Sequence, residues 1–329
     1  MASPDRPAAS VIIPAYNAAD FLAQQLGALS DQHDAPSFEV LVCDNGSTDG
    51  TPAIVQDFAP RLAGLRLVDA SARRGASAAR NIGADAAESS RLLFCDADDV
   101  VGQTWVRSLY DALGAAVFVA GAVEHRLLNP GREWDFGWNE PLFSDPGLPQ
   151  FPACGSGNMG VRREVFDEVG GFDESLRAGE DLDFSWRVQL AGHQLVGVPS
   201  AIIHYRKRGG LRAAARQGRA KGEGTRILAE RFALVREAYA HEARPAAAGA
   251  SVTDPMPVPS ADARRPRWAA AADRLRRVPR KVAEIARNPA AITPYVAGLA
   301  FAWGYRTARV DHVTHVSVPD PLPPAARIL

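Results

Sequence analysis

The chain has 329 residues, 47% of them hydrophobic and 23% charged, with a formal net charge of −1. This composition supports a large core and excludes a wholly disordered chain, and the even charge balance excludes a duplex-binding protein that relies on global positive potential. No nucleic-acid partner is therefore expected. Lysine occurs only at Lys207, Lys221 and Lys281, and no G-x-x-x-x-G-K-[ST] phosphate loop is present. Cys43, Cys95 and Cys154 are too few and too scattered for a disulfide framework or a structural zinc site. Residues 1–20 hold no signal-peptide core, because Val11-Ile12-Ile13 stops at Pro14, so the expected compartment is the cytoplasm.

Residues 10–13 form a short buried strand, and 18–31 have helical spacing with Phe21, Leu22, Leu26 and Leu29 on one stripe. A second strand, 38–43, runs into Asp44; a helix over 51–59, a strand over 65–68 and a small-residue helix over 77–89 follow. The fourth strand, 91–95, runs into Asp96, and a helix is predicted over 100–113. Strands separated by helices imply a mostly parallel α/β sheet whose ligands sit beyond the carboxyl ends of the strands. Three of the four strands meet a polar cluster there: Tyr16-Asn17, Asp44-Asn45 and Asp96-Ala97-Asp98-Asp99.

Farther along, 115–123 reads as a strand and 126–152 as a loop containing Trp134, Phe136, Trp138 and Phe143. Helices over 162–169 and 181–191 and a strand over 194–205 complete the first part. A Pro/Ala-rich linker covers 241–263, with the expected catalytic domain at 8–240 and a basic, then apolar, helical segment at 264–329. Residues 288–305 are uncharged but interrupted by Pro289 and Pro294, which favours a packed or interfacial helix over a membrane span.

Three carboxylates in four residues repel one another, and a divalent cation shared with substrate phosphates relieves that repulsion. Capping of the next helix explains Asp99 but not Asp96 and Asp98. Asp44, at a strand end, can accept from a nucleobase N–H or a ribose hydroxyl, or can order a polar turn. Glu180 and Asp181 open a helix, where the macrodipole favours acids; presented into a cleft, they can instead act as a general base. Gly155-Ser156-Gly157-Asn158-Met159-Gly160 matches a dinucleotide fingerprint but follows no strand, so its glycines are read as letting backbone approach a sugar. His204 ends an apolar strand and reaches a metal only if that strand folds back toward Asp98.

Taken in order, several segments resemble the inverting family 2 glycosyltransferases of GT-A fold. They are Val11 to Asn17, Val42 to Asp49, Gly75 to Gly83, Phe94 to Asp99, Gly157-Asn158-Met159, Val169 to Glu174 and Gly179-Glu180-Asp181. The resemblance covers about residues 8–206 and implies a Rossmann-like, mixed, mostly parallel sheet flanked by helices, with a helical C-terminal appendage. It implies a nucleoside-diphosphate-sugar donor held by Pro14, Tyr16, Asn17, Asp44, Arg80 and Asp96. It also implies Mn²⁺ or Mg²⁺ on Asp98, with Asp99 as the competing ligand and His204 as a late contact. Asp181 becomes the base that deprotonates the acceptor hydroxyl, with Glu180 as the competing choice. The acceptor is expected near Trp134, Trp138, Gly157 and Asn158. The result is a single displacement with inversion, in the synthesis of cell-envelope polysaccharide or glycolipid.

A glycan or lipid-linked acceptor is expected, with peripheral contact through 264–305 at the inner membrane face or, equally, packing of that segment on the catalytic domain. Two rivals stay open: a sugar-nucleotide nucleotidyltransferase, which releases pyrophosphate rather than a nucleoside diphosphate, and a non-catalytic glycan or sugar-nucleotide binding module.

Overall fold

The computed structural model describes residues 6–130, 139–207, 210–242 and 292–325. The four expected strands are present as β1 (Ala9–Ala15), β2 (Phe38–Asp44), β3 (Leu65–Asp69) and β4 (Arg91–Cys95). They are mutually parallel and are separated by α1 (Leu22–Ser30), α2 (Thr51–Phe58) and α3 (Ala76–Ala86). After them come β5 (Val100–Val101), α4 (Trp105–Ala115), β6 (Phe118–Glu124), the hairpin β7 (Phe143–Ser144) and β8 (Pro152–Ala153), β9 (Asn158–Arg162), α5 (Arg163–Glu168), α6 (Glu180–Leu190) and β10 (Leu195–His204). The main sheet has eight strands in the order β3-β2-β1-β4-β9-β6-β10-β5, a mixed, mostly parallel α/β arrangement.

Alternate strand residues serve opposite faces. Val11, Ile13, Val40 and Val42 point into one core with Leu22 and Leu26 of α1 and Trp105 and Leu109 of α4. Ile12, Leu41 and Phe94 point into another with Ala79 of α3, Phe166 of α5 and Phe184 of α6. This period-two division follows from the pleat, and covering both faces explains why the strands read as continuous apolar runs. The small residues of α3 let it lie close on the sheet: a Cβ on Gly83 would come within 2.5 Å of Cys43 Sγ and Ile12 Cγ2.

Three sequence expectations are corrected. The helix predicted over 100–113 begins at Trp105, because Val100 and Val101 pair antiparallel with His204 and Ile203. Thr104 occupies the N-cap, so Asp99 is not the cap of that helix. The strand predicted from 115 begins at Phe118. Finally, the glycine-rich stretch contains β9, which runs antiparallel between β4 and β6. Its Gly160 fits beneath Leu93 and Val119, where a Cβ would meet Leu93 Cδ2 at 3.0 Å. β9 is buried on both faces, so its five residues show no alternation, and Asn158 and Gly160 interrupt any apolar run.

A third apolar cluster joins Trp186 and Leu190 of α6 to Leu228, Phe232, Val235 and Tyr239 on α7 (Leu211–Arg231) and α8 (Ala233–Glu242) and the turn between them. Arg231 ties α7 down through Asp173 and, at 2.9 Å, through the buried Asp183 of α6. α9 (Thr293–Thr307) lies against α7 at glycine contacts. The following chain returns to the domain: Val316 N–H donates to Arg231 C=O, and Tyr239 Oη donates to Pro323 C=O at 2.5 Å. α8 runs to Glu242, while residues 243–291, with most of the expected linker and basic segment, lie outside the described residues.

Candidate active site

The carboxyl ends of β1, β2 and β4 open on one cleft of about 1390 Å³, and the N-termini of α3 and α6 face into it. Pro14, Tyr16 and Asn17 line one part of it, and Tyr16 is 57% exposed, an aromatic face free to stack. The loops after β1 and β2 brace each other. Asn17 N–H donates to Ser47 Oγ at 2.9 Å, and Thr48 N–H donates to Asn17 Oδ1 at 2.8 Å. Asn17 holds a φ of +50° to do so. Asp44 accepts from Ser47 N–H at 3.0 Å and so orders the turn at the β2 end. Its neighbour Asn45 lines the cleft and fastens the next loop, with Nδ2 donating to the carbonyls of Ala70 and Arg73 and Oδ1 accepting from Gly75 N–H at 2.9 Å.

Beyond β4, one oxygen of each of Asp96, Asp98 and Asp99 lies within 4.8 Å of the others. Asp96 and Asp98 line the cleft; Asp99 is 2% exposed and accepts from Arg206 N–H at 2.8 Å. The buried Gln25 of α1 clamps the start of this loop, donating to Asp96 C=O and accepting from Val101 N–H, each at 3.0 Å. Arg206 clamps its end, with Nε donating to Asp98 C=O at 2.9 Å. An all-carboxylate donor set of this size fits a hard divalent cation such as Mg²⁺ or Mn²⁺.

His204 does come back to this loop, pairing in register with Val100, but it is not one of the three clustered ligands. Its Nδ1 lies 2.9 Å from Glu124 Oε2. Arg80, expected near a diphosphate, lines the cleft from a buried position. Its Nη2 is 2.7 Å from Asp96 Oδ1 and its Nη1 is 3.4 Å from Glu180 Oε1, so it links the β4 end to the start of α6.

Glu180 and Asp181 follow Gly179, whose φ of +85° turns the chain sharply into α6. Glu180 is committed to Arg80. Asp181 faces the same cleft, and burial, reinforced by the charge of Glu180, raises its pKa to about 7. Raising a carboxylate toward neutrality is what a general base for a hydroxyl requires. Thiol nucleophiles are not offered instead: all three cysteines are buried and unpaired, and burial pushes Cys43 and Cys154 up to about 12.

The packing around Gly157 and Asn158 bears on the acceptor expectations. The Asn158 side chain is buried within the sheet, donating to Ala122 C=O at 2.8 Å and Ala201 C=O at 3.1 Å while accepting from Trp105 Nε1 at 2.7 Å. Nothing of that amide remains for a sugar. Gly157 makes room for Asp96, since a Cβ there would sit 2.7 Å from Asp96 Oδ2. Trp134, Phe136 and Trp138 lie outside the described residues. Gln25 and Glu124 carry no signal in the sequence, whereas Asn45 stands in a strand-end motif and Arg206 follows His204 at the strand end that the family resemblance marks.

Comparison with known proteins identifies the family. "Glycosyl transferase family 2" matches residues 10–170, and "Glycosyl transferase family group 2" matches 92–310. The chain is 32% identical over 195 residues to the glycosyltransferase AglE of Haloferax volcanii, a match covering 57% of this chain and 64% of AglE. It is 30% identical over 220 residues to validoxylamine A glucosyltransferase of Streptomyces hygroscopicus subsp. limoneus, covering 56% of this chain and 49% of that one. These matches thus span about half to two thirds of the length of each relative. In fold, the chain is similar to the mannosyltransferase PcManGT from Pyrobaculum calidifontis, solved with GDP-Man and Mn²⁺. The TM-score is 0.57 at 22% identity, over 92% of this chain and 88% of that one. With two family matches spanning the β1–β4 half-sheet and the cleft, the chain belongs to glycosyltransferase family 2.

Proposed function

We propose that this protein transfers a sugar from a nucleoside-diphosphate-sugar to a hydroxyl acceptor, with inversion at the anomeric carbon. The observation that carries this reading is the presence of Asp98 and Asp181 in one cleft, with Arg80 tying Asp96 to Glu180 between them. Tyr16 stacks on the nucleobase, and Pro14, Asn17, Asp44 and Asp96 shape the nucleoside end. Asp96 and Asp98 would hold Mn²⁺ or Mg²⁺, with Asp99 behind them and His204 as a late contact. The cation, when bound, offsets the negative charge that builds on the departing diphosphate.

The protein's own groups do the rest. Arg80 fixes Asp96 and withholds Glu180 from the chemistry. Asp181 receives the acceptor proton at a carboxylate oxygen as the acceptor oxygen attacks from the face opposite the leaving group. No covalent intermediate forms, and none is needed. The Mn²⁺ and nucleotide sugar of the mannosyltransferase of similar fold, and the glycosyltransferase activities named for the two sequence relatives, support this reading. Acceptors of glycan or glycolipid type fit the open, partly apolar far end of the cleft, and action at the inner face of a membrane fits the C-terminal helices described below.

The test is product identification with UDP-, GDP- and dTDP-sugars in the presence and absence of Mn²⁺. Release of a nucleoside diphosphate with an inverted glycoside supports the proposal; release of pyrophosphate establishes nucleotidyl transfer instead. Binding of donor without any turnover, whatever the acceptor, leaves a binding module.

A further inference from the structure

The packed helix pair α7 and α9 presents a surface that the sugar-transfer reading does not use. α7 and α9 touch through their backbones. Cβ atoms on Gly218 and Gly222 would fall 2.3 Å from Ala297 C=O and 2.1 Å from Phe301 C=O, and one on Gly304 would fall 2.2 Å from Arg219 C=O. This contact uses one face of α9. The opposite face carries Leu299, Ala302, Trp303 and Arg306, spaced i, i+3, i+4 and i+7, and all four are exposed. Leu299 is 75% exposed and Trp303 54%, an unusual display for large apolar side chains.

The charge on these two helices is predominantly positive. α9 contains no acidic residue, and α7 carries six basic residues against Glu223 and Glu230. Those two acids are already engaged by Arg219 and Arg226. Among the described residues, Arg212, Arg216, Lys221 and Arg306 have no carboxylate partner. Arg219 stacks on Trp303 at 4.1 Å, which keeps a cation beside the indole. In sequence, five residues separate α9 from the segment 264–287, which has nine basic against two acidic residues. α9 has 15 residues and is therefore about 22 Å long, short of the ~30 Å hydrocarbon core of a bilayer. No helix among the described residues is long and apolar enough to cross a membrane. A short apolar helix with aromatic and arginine edges lies in the interfacial plane.

The pair also borders the cleft. Arg216, Gln217, Ala220 and Lys221 of α7 and Phe301 of α9 line its outer part. We propose that the α7–α9 helix pair seats the protein on an anionic lipid surface, through Leu299 and Trp303 and the cations of the two helices, so that the cleft receives an acceptor carried in that surface. Lys221 and Arg216 then meet a lipid phosphate at the cleft mouth while the acceptor hydroxyl reaches Asp181. The acceptor clause rests on the glycosyltransferase reading; the docking does not.

The experiment is co-sedimentation of the full chain with vesicles of phosphatidylcholine alone or with about a third phosphatidylglycerol, with donor-dependent thermal stabilisation in Mn²⁺ measured on the same samples. Each cation near an anionic surface contributes roughly fivefold in affinity, so the anionic vesicles are expected to bind at least about tenfold more tightly. Leu299→Glu and Trp303→Glu, on exposed positions outside the cleft, are each expected to weaken vesicle binding about tenfold or more and to leave the donor-dependent thermal shift intact. Arg306→Glu tests the charge contribution separately and is expected to lower only the preference for anionic vesicles. Wild-type protein that ignores anionic vesicles, or variants that bind them unchanged, overturn the proposal. So does a concentration-dependent dimer dissolved by Leu299→Glu, which makes a second copy the occupant of this face. Loss of the donor shift in wild type with vesicle binding intact overturns the sugar-transfer reading alone.

Discussion

The Arg80 guanidinium lies 2.7 Å from the Asp96 carboxylate while being almost wholly buried, and its other terminal nitrogen lies 3.4 Å from Glu180. One cation thus balances an acid from each wall of the cleft, and the acid loop after β4 is fixed relative to α6 before any substrate arrives. Removing a partner from such a buried pair leaves uncompensated charge. Arg80→Ala is expected to lose about 3 kcal/mol in urea unfolding. Arg80→Lys, with a single point charge, recovers only part of it. Unfolding of Arg80→Ala at the wild-type midpoint would show that the link carries no energy.

Gly157 and Asp96 form a second such relationship. With a Cβ only 2.7 Å from Asp96 Oδ2, Gly157→Ala is expected to displace that carboxylate and leave the rest of the sheet in place. Mn²⁺ titration followed by electron paramagnetic resonance should show affinity down about tenfold, with circular dichroism unchanged. Unaltered Mn²⁺ affinity would remove Asp96 from the cation's surroundings.

Asn158 is predicted to matter for folding rather than for acceptor choice. Asn158→Leu strands the Trp105 indole N–H and the Ala122 and Ala201 carbonyls in the sheet, at a cost of about 2–3 kcal/mol. Activity per folded molecule is expected to stay within a few-fold of wild type. A selective change in acceptor KM with wild-type stability would restore the acceptor role.

What the sequence made visible, and what it did not, follows from the range of each interaction. Strand-end motifs such as Tyr16-Asn17 and Asp96 to Asp99 are local, and a parallel sheet collects strand ends at one edge, so the cleft could be read from the chain. The supports of that cleft are not local. Gln25 reaches Asp96 across 71 residues and Arg206 reaches Asp99 across 107, and nothing near either residue announces the pairing. The frame Asp96 to Asp99 left Asp98 and Asp99 equivalent; the backbone turn that sends Val100 to pair with His204 is what exposes one and buries the other. β9 offers no alternation to read, because its inner residues are buried on both faces and Asn158 and Gly160 break what would be an apolar run.

The raised pKa of Asp181 makes two pH-dependent statements. Its base form predominates only above about 7, so kcat/KM is expected to rise with pH through that value and then level off. The native pKa lies above the unfolded one. The neutral form is therefore favoured by folding, and that advantage is lost as pH climbs through the usual carboxylate range and on to about 7. Asp181→Asn, which cannot ionise, is then expected to melt above wild type at pH 8, with the difference vanishing near pH 3.5. A flat rate profile and a pH-independent difference in Tm would contradict both statements.

The division of labour across the cleft is tested most directly by calorimetric titration of a turnover-competent nucleotide sugar, with Mn²⁺, into Asp98→Asn and Asp181→Asn, alongside sugar-transfer rates. Both variants should lose transfer by about a hundredfold or more. Mn²⁺-dependent donor binding should collapse in Asp98→Asn and persist in Asp181→Asn. Transfer at the wild-type rate by Asp181→Asn, or undiminished Mn²⁺-dependent binding by Asp98→Asn, contradicts the assignment.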